Sequence, residues 1–364
     1  MMKREESLEK NIWINMKVLI IGGSGRISLS VTKTLYNIGF EVTVINRGNN
    51  NQLIRNLNTY ISDIKDEKRI NSFLKDKLYD VVIDFVSYDA EDIKRSYSYF
   101  KNHTNHYIFI SSVVVYKHEK ENEKLITEES IRENPYSLYA DNKILAEDTL
   151  VKIGQEDVNF HYSILRFGQT FDERNLPTLF HGKNGTYDII YRIMNGKPLV
   201  MLKEKVSWRV LFASDVCLAI IPLFNNPKSY GKIFNIVSKE TYTWEEIYNI
   251  FGSILNKKIN FVYVPCDVLC SENKEYLSLI KGDKANDANY DFSKIIKISP
   301  NFIHQTKLES ALKKTIYNLV NNFEYHQIDI QFNEEQDSIC KKYKNVYKSW
   351  YFYALIEVRG LFYG

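Results

Sequence analysis

The 364-residue chain is short of several things, and each shortage removes a class of explanation. It has four cysteines, Cys217, Cys266, Cys270 and Cys340, scattered and without a Cys-x-x-Cys pair. That excludes a disulfide scaffold in a chain of this size, and the reduced thiols of a cytoplasmic protein are expected. Cys266 and Cys270 share a helical face, but no further Cys or His pair lies near them to complete a zinc site, so no metal is expected. Charge of one sign is also lacking: 48 Lys and Arg against 45 Asp and Glu leave a formal net charge of +3. No polyanion-binding surface is advertised, and a nucleic-acid partner is not expected. No apolar stretch approaches the ~20 residues of a membrane span, and the charged opening Met1-Met2-Lys3-Arg4-Glu5-Glu6 does not read as a secretory signal. Prolines number only 7 against 26 tyrosines and 20 phenylalanines, a bias that carries no functional weight.

What is present is length enough for one large domain with an appendage, or for two. A second methionine, Met16, stands directly before the first apolar run, so residues 1–15 read as a loosely held extension. From Lys17 short apolar runs alternate with longer amphipathic ones, the pattern of a parallel sheet with crossover helices. Strands are expected at Lys17–Gly22, Glu41–Asn46, Asn58–Ile64, Val81–Val86, Tyr107–Ser111 and Tyr162–Arg166. Helices are expected at Ile27–Ile38, Lys65–Lys77, Asp89–Asn102 and from Pro135 to Ile153. A polar segment, Lys117–Glu133, interrupts the rhythm as a surface loop. Beyond Gln169 regularity fades into shorter pieces: helices at Tyr187–Asn195, from Asp215 and at Thr243–Leu255, with strands at Pro198–Leu202, Val206–Phe212, Lys232–Ile236 and Ile259–Val264. The fold class is α/β, a Rossmann-type doubly wound parallel sheet with a smaller C-terminal lobe. The tail after Asn321 is aromatic and charged, without repeats.

The first strand runs into Gly22-Gly23-Ser24-Gly25-Arg26-Ile27-Ser28, a glycine-rich turn that opens a helix. Glycines there let the backbone approach a pyrophosphate, whose charge meets the helix N-terminus. Strand before and helix after is the context such a turn requires. Ser28 replaces the usual last glycine, which puts the closest helix–strand packing in question. At the end of the second strand, where an acid usually takes the adenosine ribose, stand Asn46-Arg47, and an arginine there leans toward NADP over NAD. Asp63-Ile64 and Phe85-Val86-Ser87 are placed to border the adenine and ribose.

The fifth strand ends in Ser111-Ser112-Val113-Val114-Val115-Tyr116, and the next helix holds Tyr139-Ala140-Asp141-Asn142-Lys143. Tyrosine and lysine four apart share a helical face, where an ammonium can tune a phenol for proton transfer. A strand-end serine beside them completes the equipment for moving a proton on a carbinol oxygen while a nicotinamide exchanges the hydride.

Through these motifs, with Leu165-Arg166-Phe167, Phe212-Ala213-Ser214-Asp215-Val216 and Phe234-Asn235-Ile236, the chain resembles the extended and extended-like (atypical) short-chain dehydrogenase/reductases, the NAD(P)-dependent epimerase/dehydratase group. The resemblance covers roughly Lys17 to Asn301. It implies that Tyr139 is the catalytic acid/base, that Lys143 holds the nicotinamide ribose and tunes Tyr139, and that Ser112 orients the substrate hydroxyl. It also implies that Ser111 and Arg166 lie near the cofactor, and that Val113, Gln169, Phe171, Asp172, Arg174, Trp208 and Arg209 face the substrate. Val113-Val114 stand where sugar 4,6-dehydratases carry Asp-Glu, so that elimination is not expected. Trp208 occupies the place of an arginine that grips diphosphates in nucleotide-sugar epimerases, with Arg209 one residue later. The segment Gln169–Arg174, the Trp208 position and Gly282-Asp283-Lys284-Ala285 together resemble a bacterial branch known only as epimerase/dehydratase-like.

The domain reading that follows is an extension over 1–15, an NAD(P)-binding domain with the Ser/Tyr/Lys set over 16–170, a mainly substrate-binding lobe over 171–320 interleaved with the sheet edge, and a C-terminal extension over 321–364. The expected activity is NAD(P)-dependent epimerisation or reduction at a secondary alcohol or ketone of a sugar-like, even nucleotide-sugar, substrate. A homodimer is implied through Asp89–Asn102 and Pro135–Ile153, with Leu138, Ile144, Leu145 and Leu150 as its apolar positions. The alternative is a non-catalytic RNA-binding or NADP-sensing relative, since Val44-Ile45-Asn46-Arg47-Gly48 occurs in such proteins. The near-neutral charge and the intact Ser112/Tyr139/Lys143 set argue against it.

Overall fold

Thirteen strands carry the architecture in the computed structural model, which describes residues 16–118 and 125–346. The extension over 1–15, residues 119–124 of the polar loop and residues 347–364 of the tail lie outside the described residues. In chain order the strands are β1 (Lys17–Ile21), β2 (Glu41–Asn46), β3 (Asn58–Ile61), β4 (Val81–Asp84), β5 (Tyr107–Ser112), β6 (Tyr162–Phe167) and β7 (Gln169–Phe171). They continue as β8 (Leu199–Leu202), β9 (Ser207–Trp208), β10 (Val210–Phe212), β11 (Lys232–Ile236), β12 (Tyr242–Thr243) and β13 (Phe261–Val264).

By its contacts the chain divides into two units. The first holds the described residues up to Asp172 together with Arg209–Lys239 and Asn289–Thr306. Its centre is a 7-stranded sheet in the order β11-β6-β5-β4-β1-β2-β3 with every pairing parallel. Alternation along each strand sends side chains to opposite faces. Val18, Ile20, Val81 and Ile83 therefore enter one core, and Leu19, Ile21, Val82 and Phe109 enter the other. Both faces are thus buried, as a doubly wound sheet demands. The strand order reverses between β1 and β4, which opens the crevice outside their carboxyl ends where such sheets take ligands. Helix Arg26–Asn37 leaves β1 and helix Ala90–Phe100 follows β4. Helix Leu138–Glu156 is started by the Ser137 side chain, which accepts from the Ala140 amide.

The second unit holds Glu173–Trp208, Glu240–Ala288 and the described residues from Lys307. In it β8 pairs parallel with β13, and β9 pairs antiparallel with β12. Helix Trp244–Leu255 begins in a capping box between Thr243 and Glu246. A π-helical segment, Leu277–Lys284, ends in a carbonyl at Lys284 that receives both the Trp208 and Trp244 indole N–H groups, at 3.1 and 2.9 Å. The run Val206–Phe212, one strand by its apolar pattern, is two: β9 joins β12 in the second unit, and β10 joins β7 in the first. Helix Ile330–Tyr343 in the tail is bound to the rest of the second unit by Arg192, which bonds Asn333 and Asp337.

Candidate functional site

The turn after β1 is built around missing side chains. Gly22 adopts φ +80°, and a Cβ there would stand 2.4 Å from Val86 Cγ2. One on Gly23 would stand 2.9 Å from Val44 Cγ1, so backbone alone fits between strand ends. Ser28 does by hydrogen bonding what a glycine does by small size. Its Oγ donates to the Gly22 carbonyl at 2.5 Å and accepts from the Gly25 amide at 2.9 Å. Thr32 Oγ1 donates to the Gly23 carbonyl at 2.9 Å. Ser24 is buried, Gly25 and Arg26 are exposed where the helix starts, and Ile27 packs on the core.

On the neighbouring strand end, Asn46 accepts from the Gly48 amide at 2.9 Å, while its buried Nδ2 has no partner. Arg47 beside it is exposed, Asp63 accepts from the Lys65 amide at 2.9 Å, and Ile64 packs on the core. A backbone cradle that a Cβ would fill, a helix N-terminus facing it and an orphaned buried carboxamide donor together fit a dinucleotide at the switch point.

Across the crevice, Phe85 packs on the core, Val86 is exposed, and Ser87 is buried. Lys143 is only 5% exposed, and its ammonium donates to the Ser87 and Ile110 carbonyls, each at 2.8 Å. Burial pulls its pKa down to about 8, against the opposing charges of Asp84, Glu147 and Asp92. One helical turn earlier Tyr139 is 43% exposed, its ring centroid 5.9 Å from Lys143 Nζ and 5.6 Å from the Tyr88 ring. Half-buried Ser112 ends β5, two residues beyond the carbonyl that Lys143 grips, and its Oγ accepts from the Val114 amide at 3.3 Å. An exposed phenol, an ammonium one turn on and a hydroxyl at the adjoining strand end can hold and move a proton on a carbinol oxygen.

Two residues expected beside the cofactor are occupied within the protein. Ser111 Oγ donates to Glu147 at 2.6 Å. Arg166 is 1% exposed, pairs with Glu147 at 2.6 Å, and bonds the Tyr116 hydroxyl and the Glu128 carbonyl. These contacts lock β5, β6 and helix Leu138–Glu156 together; every guanidinium nitrogen is engaged, so Arg166 is a framework residue.

Among the residues expected to face substrate, Gln169 is half-buried, and Val113, Phe171 and Asp172 are buried in the first unit. Arg209, also there, donates to the Ser238 and Lys239 carbonyls at 2.7 and 2.9 Å and lies over the Phe292 ring. In the second unit Arg174 is half-buried, whereas Trp208 is 2% exposed with its ring 5.0 Å from that of Trp244. Trp208 is therefore a core side chain and not a pocket wall. Sequence reasoning missed Asp84 and Tyr88; an acid closing the apolar run Val81-Val82-Ile83 was the available signal for the first.

The family model described as NAD dependent epimerase/dehydratase family matches residues 18–237. The 2'-dehydrokanamycin reductase of Streptomyces kanamyceticus is 21% identical over 292 residues, 79% of this chain and 80% of that protein. The UDP-glucose 4-epimerase of Lactobacillus helveticus is 26% identical over 172 residues, 42% of this chain and 51% of that protein. Among solved structures, an epimerase of Methanothermobacter thermautotrophicus superposes with a TM-score of 0.70 at 17% identity, covering 87% of this chain and 95% of that one. The non-catalytic alternative finds no support among these relatives. Among the described residues no helix is long and apolar enough to cross a membrane.

Proposed function

Because the chain belongs to the NAD dependent epimerase/dehydratase family, we propose that it carries out hydride-transfer chemistry at a secondary alcohol or ketone of a sugar, with Tyr139 as acid/base. The observation that carries this reading is the Lys143 ammonium, held between two carbonyls one turn from an exposed Tyr139. A dinucleotide held with its pyrophosphate at the glycine turn would supply or accept the hydride through its nicotinamide. Tyr139 exchanges the proton of the carbinol oxygen, Ser112 orients that oxygen, and Lys143 holds the nicotinamide ribose and favours the ionised phenol. The relatives named for a kanamycin-type ketone and for UDP-glucose support a sugar or nucleotide sugar as substrate. Tyr139→Phe is expected to lower turnover by ~10²–10⁴-fold while leaving nucleotide affinity unchanged, read by steady-state kinetics beside calorimetry; full activity in that variant removes the catalytic role.

Gly22–Ile27 would take the pyrophosphate, with Asn46, Arg47, Asp63, Ile64 and Phe85–Ser87 along the adenosine side. The orphaned Asn46 amide and exposed Arg47, at a strand end that carries no acid, support a preference for NADP. Arg47→Asp is expected to swing the affinity ratio toward NAD, and an unchanged ratio removes the preference. The nucleotide that copurifies separates the two reactions: tightly retained NAD marks an epimerase, and an empty protein that takes NADPH marks a reductase. A homodimer through helices Ala90–Phe100 and Leu138–Glu156 is supported by Leu138 and Leu145, 73% and 54% exposed. Leu150 is no part of that face, being wholly buried in the core. A monomeric mass by light scattering removes the dimer.

A further inference from the structure

Asp84 closes β4, is fully buried and accepts five hydrogen bonds. Its Oδ1 takes the Val86 and Ser87 amides, each at 2.8 Å. Its Oδ2 takes the Ser87 hydroxyl at 2.6 Å, the Ser96 hydroxyl at 2.9 Å and the Tyr107 hydroxyl at 2.7 Å. All five donors are uncharged. The other two acids that bear on Lys143 are already matched by cations, Glu147 by Arg166 and Arg132, and Asp92 by Arg95. Asp84 is thus the acid near Lys143 whose charge no arginine neutralises.

The same carboxylate winds Phe85-Val86-Ser87 into a turn with two consequences. It presents the Ser87 carbonyl to Lys143 Nζ, and it sets Val86 against Gly22, the closest approach of the glycine turn. Two of the three ammonium N–H bonds end on Ser87 and Ile110, which leaves the third for a ligand. We propose that Asp84 is the positioning residue of this site, aiming the Lys143 ammonium through the Ser87 carbonyl and keeping it charged. The proposal rests on the reading of Lys143 as the residue that holds the nicotinamide ribose.

Lys143 is faced by Tyr139 and Glu147 from its own helix, by Asp84 from β4, by Asp92 from helix Ala90–Phe100 and by the Phe109 ring of β5. Burial drives the ammonium toward neutrality, to about 8, and Asp84 is the strongest of the charges opposing it. Binding of a nucleotide that prefers the charged lysine therefore weakens as pH rises through that value, and weakens earlier once the Asp84 charge is gone.

The experiment is calorimetric titration of NADP and NAD into the full-length chain from pH 6 to 9.5. In wild type, affinity is expected to fall above pH about 8. In Asp84→Asn the midpoint is expected about one pH unit lower. The amide oxygen can still receive both backbone amides, two of the three hydroxyls can rotate to accept from the two N–H donors of the new NH₂, and the Ser87 and Ser96 hydroxyls keep their mutual contact at 3.1 Å, so this variant keeps the shape of the turn. Lys143→Met should show no midpoint in this window, and adding Asp84→Asn to it should shift nothing further. A folded Asp84→Asn with the wild-type midpoint overturns the proposal and leaves Asp84 a structural carboxylate. Wild-type affinity in Lys143→Met at every pH instead overturns the reading of Lys143, a distinguishable failure. If Asp84→Asn does not fold, Asp84→Glu decides: it keeps the charge but carries it one bond further, so its midpoint should hold while affinity drops, and unchanged affinity overturns the proposal.

Discussion

Lys143, in the role proposed for it, shows what such a residue costs its fold. Its pKa in the folded chain, about 8, lies below the ordinary 10.5. The unfolded chain therefore binds a proton more readily between those values. The penalty is complete below pH 8, shrinks as pH rises, and is gone above about 10.5, with a full size on the order of 3 kcal/mol. Wild type is accordingly expected to gain stability relative to Lys143→Met between pH 8 and 10, measured by urea unfolding at several pH values; a constant gap would mean that burial does not tax the ammonium. The Tyr139/Lys143 pair was legible in the sequence because its spacing is local, four positions on one helix. Ser28 was legible only as a departure from glycine. What its hydroxyl does depends on a turn geometry that brings residues 22, 25 and 28 together, and composition does not encode that.

At the scale of elements, helix Leu138–Glu156 places Tyr139, Lys143 and Glu147 four residues apart in turn, so the face proposed to bear the chemistry also bears the anchor. Glu147, fully buried, gathers Ser111, Arg132 and Arg166, and thereby fixes β5 beside the helix. Glu147→Gln is expected to cost ~3–5 kcal/mol by leaving the Arg166 guanidinium buried without its counter-charge, read as a lowered urea midpoint. Because Ser112 sits next to Ser111 on the same strand end, turnover should drop with it. An unfolding free energy within about 1 kcal/mol of wild type would remove the anchor. The strands of the parallel sheet were legible since burial on both faces makes each a short, nearly continuous apolar run. The anchor was not, for Glu147 and Arg166 stand 19 positions apart and meet only after the sheet has formed. The break of Val206–Phe212 into β9 and β10 was hidden for a related reason: two strands that join different sheets still share one apolar pattern.

For the whole molecule, the tail is the part whose sequence said least. Helix Ile330–Tyr343 buries Phe332, Ile339 and Cys340, and its Asn333 donates to the buried Asp188 at 2.6 Å. Arg192, also fully buried, ends on Asn333, Asp337 and the Pro198 carbonyl. Its low amphipathic contrast and charged ends resemble an exposed appendage, and only the partners 140 or more positions away reveal otherwise. Ending the chain at Asn322 would strand Arg192 and Asp188 without these partners. Thermal denaturation is expected to show a loss of several kcal/mol, about 1–2 °C for each in a chain of this length; an unchanged melting temperature would make the helix dispensable.

The two indoles that share the Lys284 carbonyl give the second unit a light of its own. Trp208 and Trp244 are the only tryptophans among the described residues, both deeply buried, both in that unit. With Trp13 and Trp350 replaced by phenylalanine, fluorescence excited beyond the tyrosine absorption band would come from this junction alone. Its emission should shift to the red when the junction opens to water, while far-ultraviolet circular dichroism follows helices and strands throughout. Coincident transitions by the two probes would mean that the units unfold as one cooperative body, and separated transitions would give the second unit a stability that can be measured on its own.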